Sequence, residues 1–293
     1  MIIVDSIPAL REALAPHRGG SIGFAPTMGA LHAGHLSLFR AAADANDVAV
    51  ASIFVNPTQF APNEDLDAYP RDTPGDTAKA RDAGIDILWM PTVDQMYPPG
   101  AATTVSVEGL TNGLCGRSRP THFAGVTTVV SMLFNAVRPD RAYFGEKDYQ
   151  QLAIIRRMTT DLAFGIEIVG MPIVREPDGV AMSSRNAYLS ADERVTARAL
   201  SRALEAGRMA WASGERDADA LRATIVDRLT RDGGLRVDYA EVVHPHSLVD
   251  LAGARADDDA GAVAAIAAHV GATRLIDNAR LDRDTPVYVA TVD

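Results

Sequence analysis

The sequence predicts an α/β protein: a Rossmann-like, doubly wound parallel sheet followed by a smaller C-terminal α+β domain. Three observations predict it. Apolar runs alternate with helical patterns through the first two-thirds of the chain. Runs such as VAVASIFV are continuously apolar, as in strands covered on both faces of a parallel sheet. Beyond about Val174 the order changes to a polar, turn-rich segment, then helices, then short strands. A chain of 293 residues has room for both parts, with expected domains at 1–174 (binding nucleotide and substrate) and 175–293 (a small lid).

In chain order, strands are expected at 21–27, 48–55, 85–90, 141–144 and 166–173. Helices are expected between them at about 35–46, 73–83, 125–137 and 149–162. The segment REPDGVAMSSRNAYLS then breaks the pattern. Ser190 with Glu193 three residues on is a capping box, opening a helix at 191–213. A second helix is expected at 218–231, then strands at 237–244, 262–270 and 272–281, with GARADDDAG as a solvated loop.

Composition narrows the function classes. The net charge of −10 repels a polyphosphate backbone, so nucleic acid is not an expected partner. A small anion can still be held by a local group of cations and helix N-termini. The single cysteine, Cys115, excludes an intrachain disulfide and fits a reducing compartment. The opening MIIVDSIPALREALAPHR is too charged for a signal peptide, and no apolar run reaches the roughly 20 residues of a membrane span. The expectation is a cytoplasmic protein with no membrane partner.

Five clusters carry chemistry. In PTMGALHAGH, a strand runs into Gly29 and Gly34, and a helix opens near His35. Open α/β sheets bind ligands at such strand ends, and helix N-termini favour phosphate. His32 and His35 supply donors there; a metal pair would need a third ligand, which is not evident nearby. In FGEKDYQQL, Lys147 follows a strand's C-terminal end, where it reads as a phosphate counter-charge or as a solvated side chain. Asp148 and Gln151 have capping-box spacing, so Asp148 reads equally as a helix cap.

In DGVAMSSRN, Ser183, Ser184 and Arg185 offer hydroxyls and a planar fork for phosphate. FVNPTQF places Asn56 and Gln59 after a buried strand, amides suited to a small polar substrate; Asn-Pro is also ordinary turn chemistry. Tyr69 and Arg71 read as rim contacts or plain surface. In CGRSRPTHFAGV, Arg119 and His122 precede a helix, and Arg119 reads as an anion contact or as a surface loop residue.

Together, in this order and spacing, PTMGALHAGH, FVNPTQF, RPTHFAGV, FGEKDYQQL and MSSRN resemble the pantothenate synthetase (pantoate–β-alanine ligase) family, over nearly the whole chain. The wider resemblance is to the nucleotidylyltransferase superfamily and class I aminoacyl-tRNA synthetases. The family resemblance implies an ATP-dependent ligase that joins pantoate and β-alanine through pantoyl adenylate, releasing pyrophosphate and AMP. It implies Mg²⁺ with the ATP, and a homodimer formed through the N-terminal domain.

It assigns His32, His35, Lys147 and Arg185 to catalysis. Met28, Gly29, Ala30, Leu31, Ala33, Gly34, Gly145, Glu146, Asp148, Val174, Met182, Ser183 and Ser184 then join them around ATP. Gln59, Gln151, Asn56, His122 and Arg119 fall to pantoate and β-alanine. Some relatives carry a carboxylate where this chain has Cys115, for which the sequence offers no activating partner. Asp76, in GDTAKA, is the foremost carboxylate candidate for Mg²⁺, without a firm protein ligand set. Three alternatives remain at this stage: a nucleotidylyltransferase that keeps its nucleotide on the product, a tRNA synthetase, and a non-catalytic nucleotide sensor.

Overall fold

The structure, a computed structural model, describes residues 1–62, 64–231, 233–284 and 287. The chain divides into two compact units. The first comprises Met1–Glu108, Arg119–Glu146 and Gln151–Pro172; the second comprises Gly109–Ser118, Lys147–Gln150 and Ile173–Asp293.

The first unit is built on β1 (Ile2–Val4), α1 (Ile7–Leu14), β2 (Ile22–Thr27), α2 (Ala33–Ala45), β3 (Val48–Ile53), α3 (Thr73–Asp82), β4 (Ile87–Trp89) and α4 (Val93–Met96). The short α5 (Leu114–Ser118) belongs to the second unit, and α6 (His122–Val137), β5 (Arg141–Gly145), α7 (Tyr149–Asp161) and β6 (Glu167–Met171) follow. Among the described residues a six-stranded sheet runs β1-β4-β3-β2-β5-β6, every pairing parallel. The expected doubly wound sheet is therefore present.

Its strands are the continuously apolar runs. Phe24, Val50 and Leu88 are fully buried, and each such side chain contributes about 1.5–3 kcal/mol. Helix α2 lays Leu38, Phe39 and Ala42 against this core. Helix α6 is buried almost all round, which explains its weakly periodic sequence HFAGVTTVVSMLFNAV.

The strand order locates the ligand crevice. From β2 the chain steps outward through β3 to β4; β5 returns beside β2 on the other side, and β6 continues in that direction. The order reverses between β2 and β5, and the crevice of such sheets lies beyond the C-terminal ends of the strands at that point.

Several elements depart from expectation in existence or bounds. The pair β1 and α1 was not expected; β1 has only three residues. Pro8 sits in the first turn of α1, where its missing N–H has no helical partner to lose, and Ser6 caps the helix. Helix α2 starts at Ala33 rather than His35, and α6 starts at His122 rather than Gly125.

In the second unit α8 (Ala191–Ala212) and α9 (Ala218–Thr230) precede an antiparallel sheet of β7 (Leu235–Val243), β8 (Val263–Val270) and β9 (Thr273–Arg280). The capping box is real: Ser190 Oγ accepts from Glu193 N–H at 3.3 Å, and Glu193 accepts from Ser190 N–H at 2.8 Å. Leu200, Leu204, Leu221 and Ile225 from the helices meet Val242, Ile266 and Leu275 from the sheet.

Two earlier stretches join this unit for identifiable reasons. Gln150 accepts from Cys115 N–H and donates to Leu110 O and Gly113 O. Asn278 donates to Lys147 O at 2.8 Å. Among the described residues no helix is long and apolar enough to cross a membrane.

Candidate active site

At the end of β2, the PTMGALHAGH turn is held by a residue from another part of the chain. Thr27 Oγ1 donates to Ser52 O and accepts from Gly29 N–H at 3.2 Å. Gly29 and Ala30 both lie in the left-handed region, at φ 82° and 50°. A Cβ on Gly29 would approach Asp76 Oδ2 to 3.0 Å and Ile53 to 3.1 Å, so glycine serves both conformation and space.

Asp76, from α3, is 1 % exposed and accepts Ala30 N–H at 2.7 Å and Leu31 N–H at 2.8 Å, one on each carboxylate oxygen. Lys79, one turn on, donates to Leu31 O at 2.8 Å and lies 3.9 Å from Asp76. Both oxygens of the Asp76 carboxylate are thus engaged by the backbone of the turn.

His32 is the N-cap of α2, and Ala33, Gly34 and His35 form its first turn. The two imidazoles lie 4.1 Å apart between centroids, with their planes tilted by 31°. His35 Nδ1 accepts His32 N–H at 3.4 Å, which places the proton of the neutral ring on Nε2. Donors on a helix N-terminus at the switch point form an anion-binding arrangement.

Met28 links this turn to the amide cluster. Its sulfur accepts from Gln59 Nε2 at 3.0 Å, and Gln59 is buried in the helical turn Pro57–Gln59 that follows β3. Gln59 Oε1 accepts from Asn56, and Gln59 O accepts from His122 Nδ1–H at 2.9 Å and Arg119 at 3.3 Å.

Asn56 and Arg119 also have partners within the protein. Asn56, 1 % exposed, donates to Gln59 and Gly125 O and accepts from Thr58 and from the Tyr97 hydroxyl. Arg119 meets a carboxylate, but it is Glu64, in a two-pronged pair at 2.6 Å on each oxygen. Both therefore also tie Gln59 into this cluster through protein partners. Burial works to raise the Glu64 carboxyl, yet the Arg119 hydrogen bonds and charge outweigh it and hold it below the usual range. The pair is thus intact at neutral pH and is lost as pH falls through that lowered value. Burial raises the Tyr97 hydroxyl in turn, against smaller opposing effects of Thr58 and Asn56.

Gly125, in the first turn of α6, permits this packing. A Cβ there would lie 2.4 Å from Thr58 O and 2.7 Å from Gln59 Cα, both backbone atoms. Asp76, Tyr97, Glu64 and Gly125 are the supporting residues that sequence reasoning did not place. The glycine inside RPTHFAGV, interrupting an apolar helix, was the one local signal.

At the neighbouring strand, β5 ends at Gly145 and a single turn, Glu146–Asp148, leads into α7. Lys147 and Asp148 lie 3.9 Å apart, and Gln151 is partly buried in the first turn of α7. In the second unit Met182 N–H donates to Val174 O at 3.0 Å, which brings these two expected nucleotide contacts together. Ser183 caps the turn Ser184–Tyr188, accepting Arg185 N–H at 3.3 Å. Cys115 is not without partners: its sulfur lies 3.2 Å from the Tyr239 hydroxyl and 3.6 Å from Arg274. Among the described residues no three His, Cys, Asp or Glu side chains converge on a possible metal position.

A family model described as pantoate–β-alanine ligase matches residues 2–280. This chain belongs to the pantoate–β-alanine ligase family. The family's reaction is the ATP-dependent condensation of pantoate with β-alanine. The pantothenate synthetase of Anaeromyxobacter dehalogenans is 58% identical over 280 residues, covering 93% of each chain. That of Moorella thermoacetica is 52% identical over 285 residues, covering 96% of this chain and 99% of the relative.

Among ligase structures, pantothenate synthetase from Thermus thermophilus superposes with a TM-score of 0.91 at 48% identity, over 96% of this chain and 99% of that one. The pantoate–β-alanine ligase of Francisella tularensis, in complex with β,γ-ATP and β-alanine, gives 0.78 at 32% identity, over 97% and 98%. The Rossmann-like architecture is thus that of the ligase family.

Proposed function

We infer that this chain performs the family's reaction by way of pantoyl adenylate, with the residues at the β2–β5 reversal handling the phosphates. The observation that carries the reading is the adjacent His32–His35 pair at the N-cap and first turn of α2, directly beyond β2. A carboxylate acylates poorly until one oxygen leaves as phosphate. In the first step a pantoate carboxylate oxygen attacks the α-phosphorus of ATP, and the bond from that phosphorus to the bridging oxygen breaks to release pyrophosphate. In the second the β-alanine amine attacks the acyl carbon, AMP departs, and the amine proton passes to solvent.

The work left to the protein is alignment and neutralisation of charge. His35 Nε2–H and His32 donate to phosphate oxygens. Lys147, Arg185, Ser183 and Ser184 hold the triphosphate, and the backbone of residues 28–31, Ala33, Gly34, Gly145, Glu146, Asp148, Val174 and Met182 lines the nucleotide. Gln59 and Gln151 hydrogen-bond pantoate, and His122 lies with them. Mg²⁺ accompanying the ATP would supply charge neutralisation on the phosphates, and such an ion commonly takes few of its ligands from protein. The resemblance and the single cysteine also support a homodimeric, cytoplasmic enzyme; sedimentation of the purified chain tests the dimer.

The deciding experiment is pyrophosphate exchange into ATP with Mg²⁺ and pantoate, before β-alanine is added. Exchange that depends on pantoate, followed by free AMP once β-alanine enters, is the expected result. A stable nucleotide conjugate in place of free AMP would reject the ligase reading.

The Gln59 subsite has its own test. Gly125→Ala drives a methyl group into the Thr58–Gln59 backbone, and crowding of this kind costs about 1–3 kcal/mol. Gly125→Ala and Gln59→Ala should each raise the KM for pantoate about tenfold while leaving ATP binding near the parent value. Equal losses for both ligands would take Gln59 out of the pantoate subsite.

A further inference from the structure

The loop that carries Ser183, Ser184 and Arg185 is tied down from two directions within its own unit. Residues 174–182 form a narrow antiparallel turn, with Glu176 N–H donating to Val180 O and Met182 N–H to Val174 O. On one side buried Arg175 makes a two-pronged pair with Asp277 of β9, at 2.6 and 2.9 Å, and donates to Gly179 O.

On the other side stands Arg194, in the second half-turn of α8, just past the capping box. Its guanidinium donates to both oxygens of Asp178 at 2.9 Å and to Glu176 at 2.9 Å. Asn186 then donates both to Glu176 at 3.0 Å and to Ala181 O at 3.0 Å. Glu176 is thus shared between a capped helix and the far end of the Ser183–Arg185 stretch.

We propose that Arg194 is a positioning residue for ATP, setting the register of residues 182–186 through Glu176, Asp178 and Asn186. The proposal rests on the assignment of Ser183–Arg185 to the triphosphate. Three features support it. Arg194 uses three separate nitrogens, two on Asp178 and one on Glu176, a planar geometry that the single nitrogen of lysine reproduces poorly. Arg194 and the neighbouring Arg198, 3.3 Å from Asp178, neutralise two carboxylates that would otherwise repel a polyanion nearby. The cluster also stays ionised at working pH: Arg194 hydrogen bonds hold Asp178 down to about 2, and against burial they hold Glu176 below its ordinary value. Arg194, Glu176 and Asp178 are 20–29% exposed, so solvent screens part of what these pairs add to global stability. All three lie within residues 176–194, so the consequence of losing Arg194 is local.

The test uses Arg194→Met and Arg194→Lys in the full-length enzyme, with Arg185→Ala as the reference. For Arg194→Met the expected result is faster amide hydrogen exchange confined to residues 176–186, an unchanged melting profile, and a KM for ATP raised about tenfold with the KM for β-alanine unmoved. Arg194→Lys should fall between parent and Arg194→Met. Unchanged exchange across 176–186 in Arg194→Met overturns the proposal. So does a normal KM for ATP in Arg194→Met when Arg185→Ala raises it. A normal KM for ATP in Arg185→Ala itself strikes the underlying phosphate assignment instead, which separates the two failures.

Discussion

Replacing His35 or Lys147 with alanine is expected to slow pantoate-dependent pyrophosphate exchange by about 10²- to 10³-fold, the scale of one lost preorganised donor to developing charge. His35 stands on the first turn of α2 with Nδ1 engaged by the His32 N–H, so its remaining N–H is directed by the backbone rather than by a mobile side-chain partner. Lys147 brings a full charge from the turn after β5. A group that matters mainly in the transition state lowers kcat and kcat/KM together. Single-turnover adenylate formation is therefore the measurement of choice. Parent-like rates in both variants would remove both residues from the mechanism; a change in KM for ATP alone would make them binding groups only.

Asp76→Asn should be nearly as damaging, although Asp76 is assigned no contact with ATP or pantoate. Both oxygens of this buried carboxylate receive backbone N–H groups from a turn whose Gly29 and Ala30 hold left-handed conformations. Asparagine replaces one acceptor with an NH₂ that faces an N–H. An unsatisfied buried donor costs about 1–3 kcal/mol, and a strained turn residue stores a similar amount that the carboxylate offsets. The turn should relax and the imidazole pair should lose its alignment. We expect exchange activity to fall about 10²-fold, with the far-UV spectrum preserved and a modest drop in melting temperature. Full activity in Asp76→Asn would show that the turn keeps its shape unaided. Lys79→Met should be milder, because Lys79 is 43% exposed and holds one carbonyl.

What could be read from the sequence was whatever is local. The runs IGFAPT and VAVASI announce buried parallel strands because both faces are covered, so every position is apolar. The PTMGALHAGH turn was visible because its glycines, histidines and helix start are contiguous. Its fastening was not visible, because Asp76 lies 45 residues away from Leu31 and nothing in GDTAKA distinguishes a buried acceptor from a surface acid. Asn56 and Arg119 were sited in the right cluster, but their partners Tyr97 and Glu64 come from separate loops, and only the folded chain shows that protein groups occupy them. Cys115 is a similar case, since Tyr239 and Arg274 lie more than a hundred residues downstream. The strand β1 escaped notice because three residues carry too little pattern to register.

The reversal of strand order between β2 and β5 also has a bearing on how the molecule is made. Ile22 N–H donates to Asp140 at 2.7 Å across 118 residues, and Gly23 is in register with Arg141. Closing so long a loop costs more chain entropy than the β2–β3 pairing does, so the β2–β5 pairing is expected to follow it in folding, which pulse-labelled hydrogen exchange would check. On a translating ribosome the glycine–histidine turn emerges early, yet its neighbouring strand is not synthesised until nearly half the chain is out. Strand β2 can therefore pair with β3 well before its partner on the other side has been made, and the crevice at the reversal is complete only once β5 has joined.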